Sequence, residues 1–422
     1  MGAPLPRALG CREAKRIEPI MGLSRFRTAI LLLAGGATSG CFAHTPAIPG
    51  PGRPPPPASV AALDEVGLYE MDQGVLWALN RSQQEPAPAQ AEDEGPTTDR
   101  IILPFLFYTP ETKLAAGVVA TGYRRLEPDL PPSSLLGAVT VTARRQVSFE
   151  VTSELHRPDG GRIDAEARFS HFPDRFFGVG PGTPDEAEEA YTSRTAQLEL
   201  RLQRQVRSGF RVGPQATFHW EDVVEAEEEG LLAEGNLTGA DGGRWFGVGA
   251  LSTYDTRDHV LQPRRGTYFE ASALWFPGGL GTTAYHRGVL DARRFVPLGD
   301  RSTLAYRAYV EGSAGDVPVL LLPFLGGRER LRGYYEGRLR DRFVGSVQAE
   351  ARFPLWWRLD GVAFGEAGQV APRLGKLLSG RAELSAGAGL RYRVSDDGAR
   401  IRLDFAVGRR GSGLYLTIGE AF

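Results

Sequence analysis

Scattered histidines are the residues of this chain whose types could first suggest catalysis or metal binding. The sequence contains six of them, namely His44, His156, His171, His219, His259 and His286. None has the H-E-x-x-H spacing of a zinc site, and we find no G-x-S-x-G elbow or phosphate-binding loop. A membrane hydrolase would need a serine beside a histidine such as His156 or His171, but a surface histidine is the simpler interpretation. We therefore expect the chain to have no enzymatic activity and to bind no metal ion or cofactor.

Charge and cysteine content exclude further classes of function. Lysine and arginine number 49 against 51 acidic residues, which gives a net charge of -2 without the strongly basic stripe of a nucleic-acid-binding protein. We interpret the acidic runs 185–189 and 221–229 as solvated loops. The alternative is that they bind divalent cations that bridge lipopolysaccharide. The only cysteines are Cys11 and Cys41, so the remainder of the chain has neither disulfides nor a cysteine metal site.

Charged and apolar side chains alternate with a period of two from residue 101 onward. In residues 195–204 the even positions are Ala196, Leu198, Leu200 and Leu202, whereas polar side chains hold the odd positions. Residues 383–394 and 400–408 repeat this pattern. Strict alternation gives a strand one apolar and one polar face. Because arginines and carboxylates recur on the second face, the pattern favours an antiparallel barrel in lipid over a soluble sandwich.

Counting the alternating segments predicts about sixteen strands over residues 101–422, from 101–108 to 412–422. An even number is expected for a bacterial barrel. Connections after strands 4, 6, 10, 12 and 14 are short and turn-like, and those after strands 5, 7, 11 and 13 are long, which is the barrel pattern of short turns and long outer loops. The connections near 124–133 and 255–265, and those after strands 3 and 15, depart from this rule. No run of about 18 apolar residues indicates a spanning helix.

The region before the barrel has a different composition. Residues 28–37 (TAILLLAGGA) follow Arg25 and Arg27, which is typical of a signal peptide. Met21 would be a suitable start for it, so residues 1–43 are interpreted as a mis-set start plus a signal peptide. Cys41 follows a sequence similar to a lipobox, and either lipidation or ordinary cleavage remains open. Residues 44–100 are rich in proline and alanine and are expected to form a disordered periplasmic spacer.

Several barrel segments resemble the bacterial surface antigen superfamily, which comprises BamA- and TamA-like outer-membrane assembly barrels. The strongest is 325–354 (LGGRERLRGYYEGRLRDRFVGSVQAEARFP), where Arg-Gly-aromatic falls between predicted strands 11 and 12. Residues 254–269, 361–370, 387–392 and 104–112 also resemble the family. The resemblance therefore spans most of residues 101–422. It implies a short member, because residues 45–99 leave no room for the family's tandem periplasmic modules.

The resemblance implies a loop latch. In the family the sixth outer loop folds into the barrel and its arginine pairs with acidic residues of the inner wall. Here that motif is Arg332, Gly333 and Tyr334, and the candidate partners are Glu350 and Glu366. A guanidinium inside a low-dielectric lumen needs a carboxylate, so the assignment is physically reasonable.

The resemblance also implies a weak lateral seam between the first and last strands. Pro104 lacks an N–H, and Gly413 and Gly419 weaken the last strand, although Pro104 as a mere strand start is the alternative. The terminal Phe422 resembles the sorting signal that the barrel-assembly machinery reads. Glu420 departs from that pattern because it stands on the apolar parity.

Taken together, these features predict a transmembrane β-barrel of the cell outer membrane. The resemblance implies a role in insertion or translocation of client proteins. The alternative is a structural or passive-pore surface-antigen barrel without insertase activity. Its expected partners are outer-membrane lipid and lipopolysaccharide, the barrel-assembly machinery during biogenesis, and client proteins.

Overall fold

The structure is a computed structural model that describes residues 98–124, 130, 132–279, 283–394 and 400–422. The predicted signal peptide with its start at Met21, the lipidation site Cys41 and the spacer up to residue 97 lie outside the described residues. No helix in the described part of the chain is long and apolar enough to cross a membrane.

Sixteen antiparallel strands form a closed barrel in which each strand neighbours the next along the chain, which confirms the predicted fold and strand number. These strands are β1 (Thr98–Thr109), β2 (Lys113–Arg124), β3 (Ser133–Thr142), β4 (Val147–His156), β5 (Gly161–Phe176), β6 (Glu189–Arg207), β7 (Phe210–Ala226), β8 (Gly242–Asp255), β9 (Gly266–Phe276), β10 (Tyr285–Leu298), β11 (Ser302–Gly315), β14 (Phe343–Trp356), β15 (Leu359–Ala371), β16 (Glu383–Arg393), β17 (Arg400–Gly408) and β18 (Gly411–Ile418). The short strands β12 (Phe324–Leu325) and β13 (Leu339–Arg340) pair with each other inside the connection between β11 and β14.

Alternation along each strand separates the outer wall from the lumen. On β6, Leu198 and Leu200 are exposed on the outer face, while Arg201 is buried in the lumen beside the Glu199 carboxylate. The same division recurs on β17, where Phe405 faces outward and Asp404 is fully buried. An apolar exterior around a polar interior is the arrangement that lipid requires of a barrel.

The wall formed by β1, β2 and β3 departs from this division because it is apolar on both faces. Leu106 and Leu135 are exposed on its outer side, as expected for lipid contact. Its inner side is also apolar, and a buried cluster there consists of Phe105, Phe107, Ala115, Val119, Leu136 and Ala138. The expectation of a polar inner face therefore fails on this wall, where aromatic and aliphatic packing replaces ion pairs.

The connection between β11 and β14, residues 316–342, folds back into the barrel; we call it the plug loop. Its residues Leu325, Leu331, Tyr334 and Leu339 pack in a buried cluster with wall residues including Val344 and Val370. Near the loop end of the barrel, Val317, Val319, Leu320 and Leu322 join a second cluster with Phe276 and Tyr285. Two apolar cores thus fix the plug loop between the barrel walls.

The last strand is shorter than the sequence pattern predicts. β18 ends at Ile418 rather than continuing to residue 422. Gly419 follows with a φ of +98°, a conformation that side-chain-bearing residues rarely adopt. The backbone therefore leaves the sheet there, and residues 419–422, which we call the C-terminal tail, turn into the lumen.

Candidate functional site: a loop latch and a seam

Arg332 at the tip of the plug loop is fully buried among three carboxylates. Its Nε donates to Glu366 Oε1 at 2.7 Å, and its Nη1 donates to Asp404 Oδ2 at 2.6 Å. Its Nη2 lies 2.7 Å from Glu350 Oε1, an ion pair in which the N–H is not well directed at the oxygen. The backbone N–H of Arg332 also donates to Glu366 Oε2 at 2.6 Å. The structure thus brings Arg332, Glu350 and Glu366 together and adds Asp404.

The guanidinium of Arg332 also stacks on an aromatic ring, since its Cζ lies 3.4 Å from the ring centroid of Phe364. Burial alone would lower the pKa of Arg332, but Glu366, Glu350 and Asp404 raise it well above its ordinary value. The side chain is therefore a permanent cation held by charge-assisted hydrogen bonds, which are the stronger kind.

Further arginines of the barrel wall pair with the carboxylates Glu350 and Asp404. Arg352 donates to Glu350 Oε2 at 3.0 Å and 2.9 Å. Arg391 donates to Asp404 Oδ1 at 2.5 Å, and Arg402 donates to Asp404 Oδ2 at 2.6 Å. Buried carboxylates are tolerated only when they are paired in this way. The result is a continuous charged network that joins the plug loop to β14, β15, β16 and β17.

Gly333 and Tyr334 complete the contact between the loop tip and the wall. Gly333 has a φ of +92°, and a Cβ placed on it would lie 2.9 Å from the backbone nitrogen of Gly408. The Gly333 N–H donates to the Tyr415 hydroxyl at 2.9 Å, and Tyr334 Oη lies 2.9 Å from Glu383 Oε2. Glycine is therefore required by both the backbone conformation and the close approach of the wall.

The remainder of the plug loop is anchored around the loop end of the barrel. Arg330 donates to Glu311 Oε2 at 3.2 Å, and the Tyr335 hydroxyl donates to Asp174 Oδ1 at 3.0 Å. Arg338 pairs with Asp185 in the connection between β5 and β6. These contacts reach several strands, so the loop crosses the lumen and obstructs it.

The C-terminal tail is held inside the barrel by a second arginine cluster. Glu420 accepts hydrogen bonds from Arg391 Nε and Arg400 Nη1, both at 2.9 Å. The carbonyl oxygen of Phe422 accepts a hydrogen bond from Arg352 Nη2 at 3.1 Å. Ala421 and Phe422 are buried against Phe295 and Ala305 of β10 and β11. The tail therefore crosses to a different wall of the barrel.

The seam between β1 and β18 is far shorter than the other strand junctions. β1 pairs with β2 along its whole length, from Thr98↔Arg124 to Thr109↔Lys113. It pairs with β18 at the single position Tyr108↔Leu416. Within the described residues, the edge of β1 from Thr98 to Phe107 has no strand partner on that side. Unpaired edges of this kind readily accept another strand.

Residues predicted at the seam and the terminus occupy different places. Pro104 lies within β1 opposite Val118, so it does not mark the start of the strand. Gly419 is the point at which the chain leaves the seam. Gly413 lies instead on the lumen side, where a Cβ would be 2.5 Å from the Tyr415 hydroxyl that binds the loop tip. Phe422 is buried in the lumen rather than aligned with the outward-facing Leu414.

Sequence reasoning did not single out four latch residues, namely Asp404, Glu383, Tyr415 and Ser385, whose hydroxyl donates to the carbonyl oxygen of Arg332. Alternation in β17 already placed Asp404 on the polar face, so strand parity carried a usable signal for that residue. The contacts of Ser385 and Tyr415 depend on how far the plug loop extends into the lumen, and the alternation of the strands does not predict this.

The histidines considered for catalysis do not form a common site. His156 is buried beside the Glu154 carboxylate, with Nε2 and Oε1 2.8 Å apart, and His171 is on the outer wall of β5. Among the residues that the structure describes, no group of three or more histidine, cysteine or acidic side chains is placed to hold a metal ion.

Comparisons with solved structures identify similar barrels. BamA from Haemophilus ducreyi lacking POTRA domains 1–3 has a TM-score of 0.56 at 13% identity, covering 77% of this chain and 70% of that one. CdiB from Escherichia coli has a TM-score of 0.53 at 13% identity, with coverages of 81% and 69%. CdiB from Acinetobacter baumannii has a TM-score of 0.50 at 12% identity, and this chain spans 59% of its length. Such low identities show a shared fold alone.

Sequence comparisons give the family. The search of curated proteins found no match. The model of the Omp85 superfamily domain matches residues 137–422, which is more than half of the chain. This match confirms the resemblance to outer-membrane assembly barrels. On this ground, together with the sixteen-stranded fold, the chain belongs to the Omp85 superfamily.

Proposed function

We propose that the chain resides in a bacterial outer membrane and inserts or translocates client proteins there. In this proposal, client proteins bind at the seam between β1 and β18. The observation that carries this proposal is the unpaired edge of β1 beside a β18 that turns inward at Gly419. An incoming strand can add to such an edge by main-chain hydrogen bonds, independently of most of its side chains. The membership in the Omp85 superfamily supports the same assignment.

The closed lumen supports the seam as the route. Arg332 and its carboxylates close the interior by a buried network, so passage through the lumen would require the plug loop to leave. Opening the seam breaks far fewer strand contacts, because a single registered pair joins β1 to β18. This arrangement also argues against a passive pore. A structural barrel without insertase activity is the alternative that the next experiment separates.

Locking the seam is expected to abolish client insertion. Tyr108 and Leu416 are register partners, and antiparallel partners have Cα atoms about 4.5–5.5 Å apart, within the range that a disulfide spans. We expect the double variant Tyr108→Cys/Leu416→Cys, made with Cys11 and Cys41 replaced by serine, to lose at least about 90% of its activity when oxidised, since a crosslinked edge cannot accept a strand. The measurement is the rate at which a urea-denatured outer-membrane barrel folds into proteoliposomes.

The controls for this experiment are the cysteine-free parent and the two single-cysteine variants. Reductant should restore the double variant to the rate of the parent. Equal rates in the oxidised and reduced double variant would favour the structural barrel and refute an insertase that works at the seam.

A further inference from the structure

The outer wall carries a row of basic side chains at the loop end of its apolar band. His171 on β5 is the register partner of Arg194 on β6, and Arg244 on β8 is the partner of Trp220 on β7. The side chains of Arg194 and Arg244 are exposed, and neither guanidinium makes a hydrogen bond or ion pair with any of the described residues. Asp222 is opposite Arg194 in register, but no ion pair joins them. We call His171, Arg194 and Arg244 the basic rim.

The position of the basic rim along the strands matches a membrane border. On the outer face of β6, Arg194 and Arg204 enclose the apolar residues Ala196, Leu198, Leu200 and Leu202. The ten residue steps from Arg194 to Arg204 span about 33 Å along the strand, or about 25 Å across a barrel whose strands tilt by about 40°. That height is the apolar band of an outer-membrane barrel. Trp220 suits the border, where aromatic rings meet headgroups.

An apolar groove lies on the same part of the outer wall, further from the loop end than the basic rim. It has a volume of about 360 Å³, and its lining includes Ala165, Ala167, Leu198, Ala216, Phe218 and Phe246. The alanines form the floor, because the bulkier leucines and phenylalanines beside them project further from the sheet. Phe246 is two residues from Arg244, or about 7 Å along the strand, and Leu198 is four residues from Arg194, or about 13 Å.

We propose that the basic rim and the groove together bind the phosphorylated glycolipid of the outer leaflet, that is, the lipid A part of lipopolysaccharide. Two unpaired guanidiniums match phosphate groups in charge and geometry, because arginine binds phosphate through parallel N–H donors. The groove accepts an acyl chain beneath the headgroup. The loop end of the barrel faces the outer leaflet, so the occupant comes from that leaflet; this step rests on the proposed outer-membrane location.

The test is native mass spectrometry of the delipidated, detergent-solubilised full chain, titrated with deep-rough lipopolysaccharide. We expect one tightly bound molecule on the wild type and at least about tenfold weaker binding to Arg194→Gln/Arg244→Gln, since hydrogen bonds to charged groups are the strong ones. The matched control is Arg204→Gln/Arg207→Gln, which removes two exposed arginines at the other border of the same strand. Its binding should equal that of the wild type.

A second variant tests the groove without changing any charge. Ala165→Phe fills the groove floor on the lipid-facing surface, and it is expected to weaken binding while barrel folding, followed by heat-modifiable gel mobility, stays intact. Undiminished binding to Arg194→Gln/Arg244→Gln, or equal loss in the Arg204→Gln/Arg207→Gln control, would overturn the proposal. So would phosphatidylglycerol that binds as tightly and with the same dependence on Arg194 and Arg244. Because this assay measures lipid binding and the seam lock measures protein insertion, either proposal can fail alone.

Discussion

Replacing Arg332 with alanine is expected to turn a closed barrel into a conducting one. The substitution removes the cation that holds Glu350, Glu366 and Asp404 together in a fully buried site. Removing one partner of a buried ion pair costs about 3–5 kcal/mol, because the remaining charges stay buried without compensation. The protein can avoid this cost if the loop tip leaves the site and water solvates the carboxylates. That movement opens the lumen to ions.

Single-channel recording in planar bilayers measures this effect directly. We expect a quiet wild type, frequent openings of Arg332→Ala, and an intermediate Arg332→Lys, since lysine keeps the charge but cannot engage several carboxylates as a planar fork. Arg381→Ala is the matched control, because it removes an exposed arginine from another connection at the loop end. A steadily open wild type that the Arg332→Ala substitution leaves unchanged would indicate a simple pore.

Neutralising Glu420 is expected to release the C-terminal tail and destabilise the barrel. Burial alone would raise the pKa of this carboxyl, but Arg352, Arg391 and Arg400 lower it from 4.5 to about 2. Such a depression corresponds to about 3 kcal/mol of stability at neutral pH. Because the pKa of the folded state is the lower one, this contribution is complete above about pH 4.5 and is lost as the pH falls towards 2.

Urea unfolding in detergent micelles checks both the size and the sign of the effect. Glu420→Gln should be less stable than the wild type by about 3 kcal/mol at pH 7, and the two should converge as the pH approaches 2. Glu186→Gln, which changes an exposed carboxylate in the connection between β5 and β6, is the control and should match the wild type at every pH. A constant gap between Glu420→Gln and the wild type across this range would mean that the carboxylate charge is not what holds the tail.

The barrel itself was predictable because period-two alternation is a strong local signal. Residues 195–203 and 400–408 show it clearly, and both lie in strands whose charged side chains point inside. Alternation also gave the side on which Glu350 and Asp404 point. It could not give the depth of the plug loop, since that depends on contacts such as Gly333 with Tyr415, which are 82 residues apart.

The ends of the barrel were less predictable for a similar reason. Leu414, Leu416 and Ile418 continue the alternation towards Phe422, and Glu420 on the apolar parity is the local departure from it. The strand nevertheless ends at Ile418, because three distant arginines draw Glu420 into the lumen. The apolar inner face of β1, β2 and β3 was likewise hidden, since residues such as Phe105 and Phe107 fit either face.

The most direct test of a seam that receives client strands is site-specific photocrosslinking during insertion. A photoreactive residue replaces Leu106, which is exposed on the outer face of β1, or Leu290, which is exposed on the distant strand β10. With a urea-denatured barrel as client, we predict adducts at position 106 and none at 290, and the adducts should disappear in the oxidised Tyr108→Cys/Leu416→Cys background. Equal adducts at both positions, or adducts that persist in the locked barrel, would contradict this account.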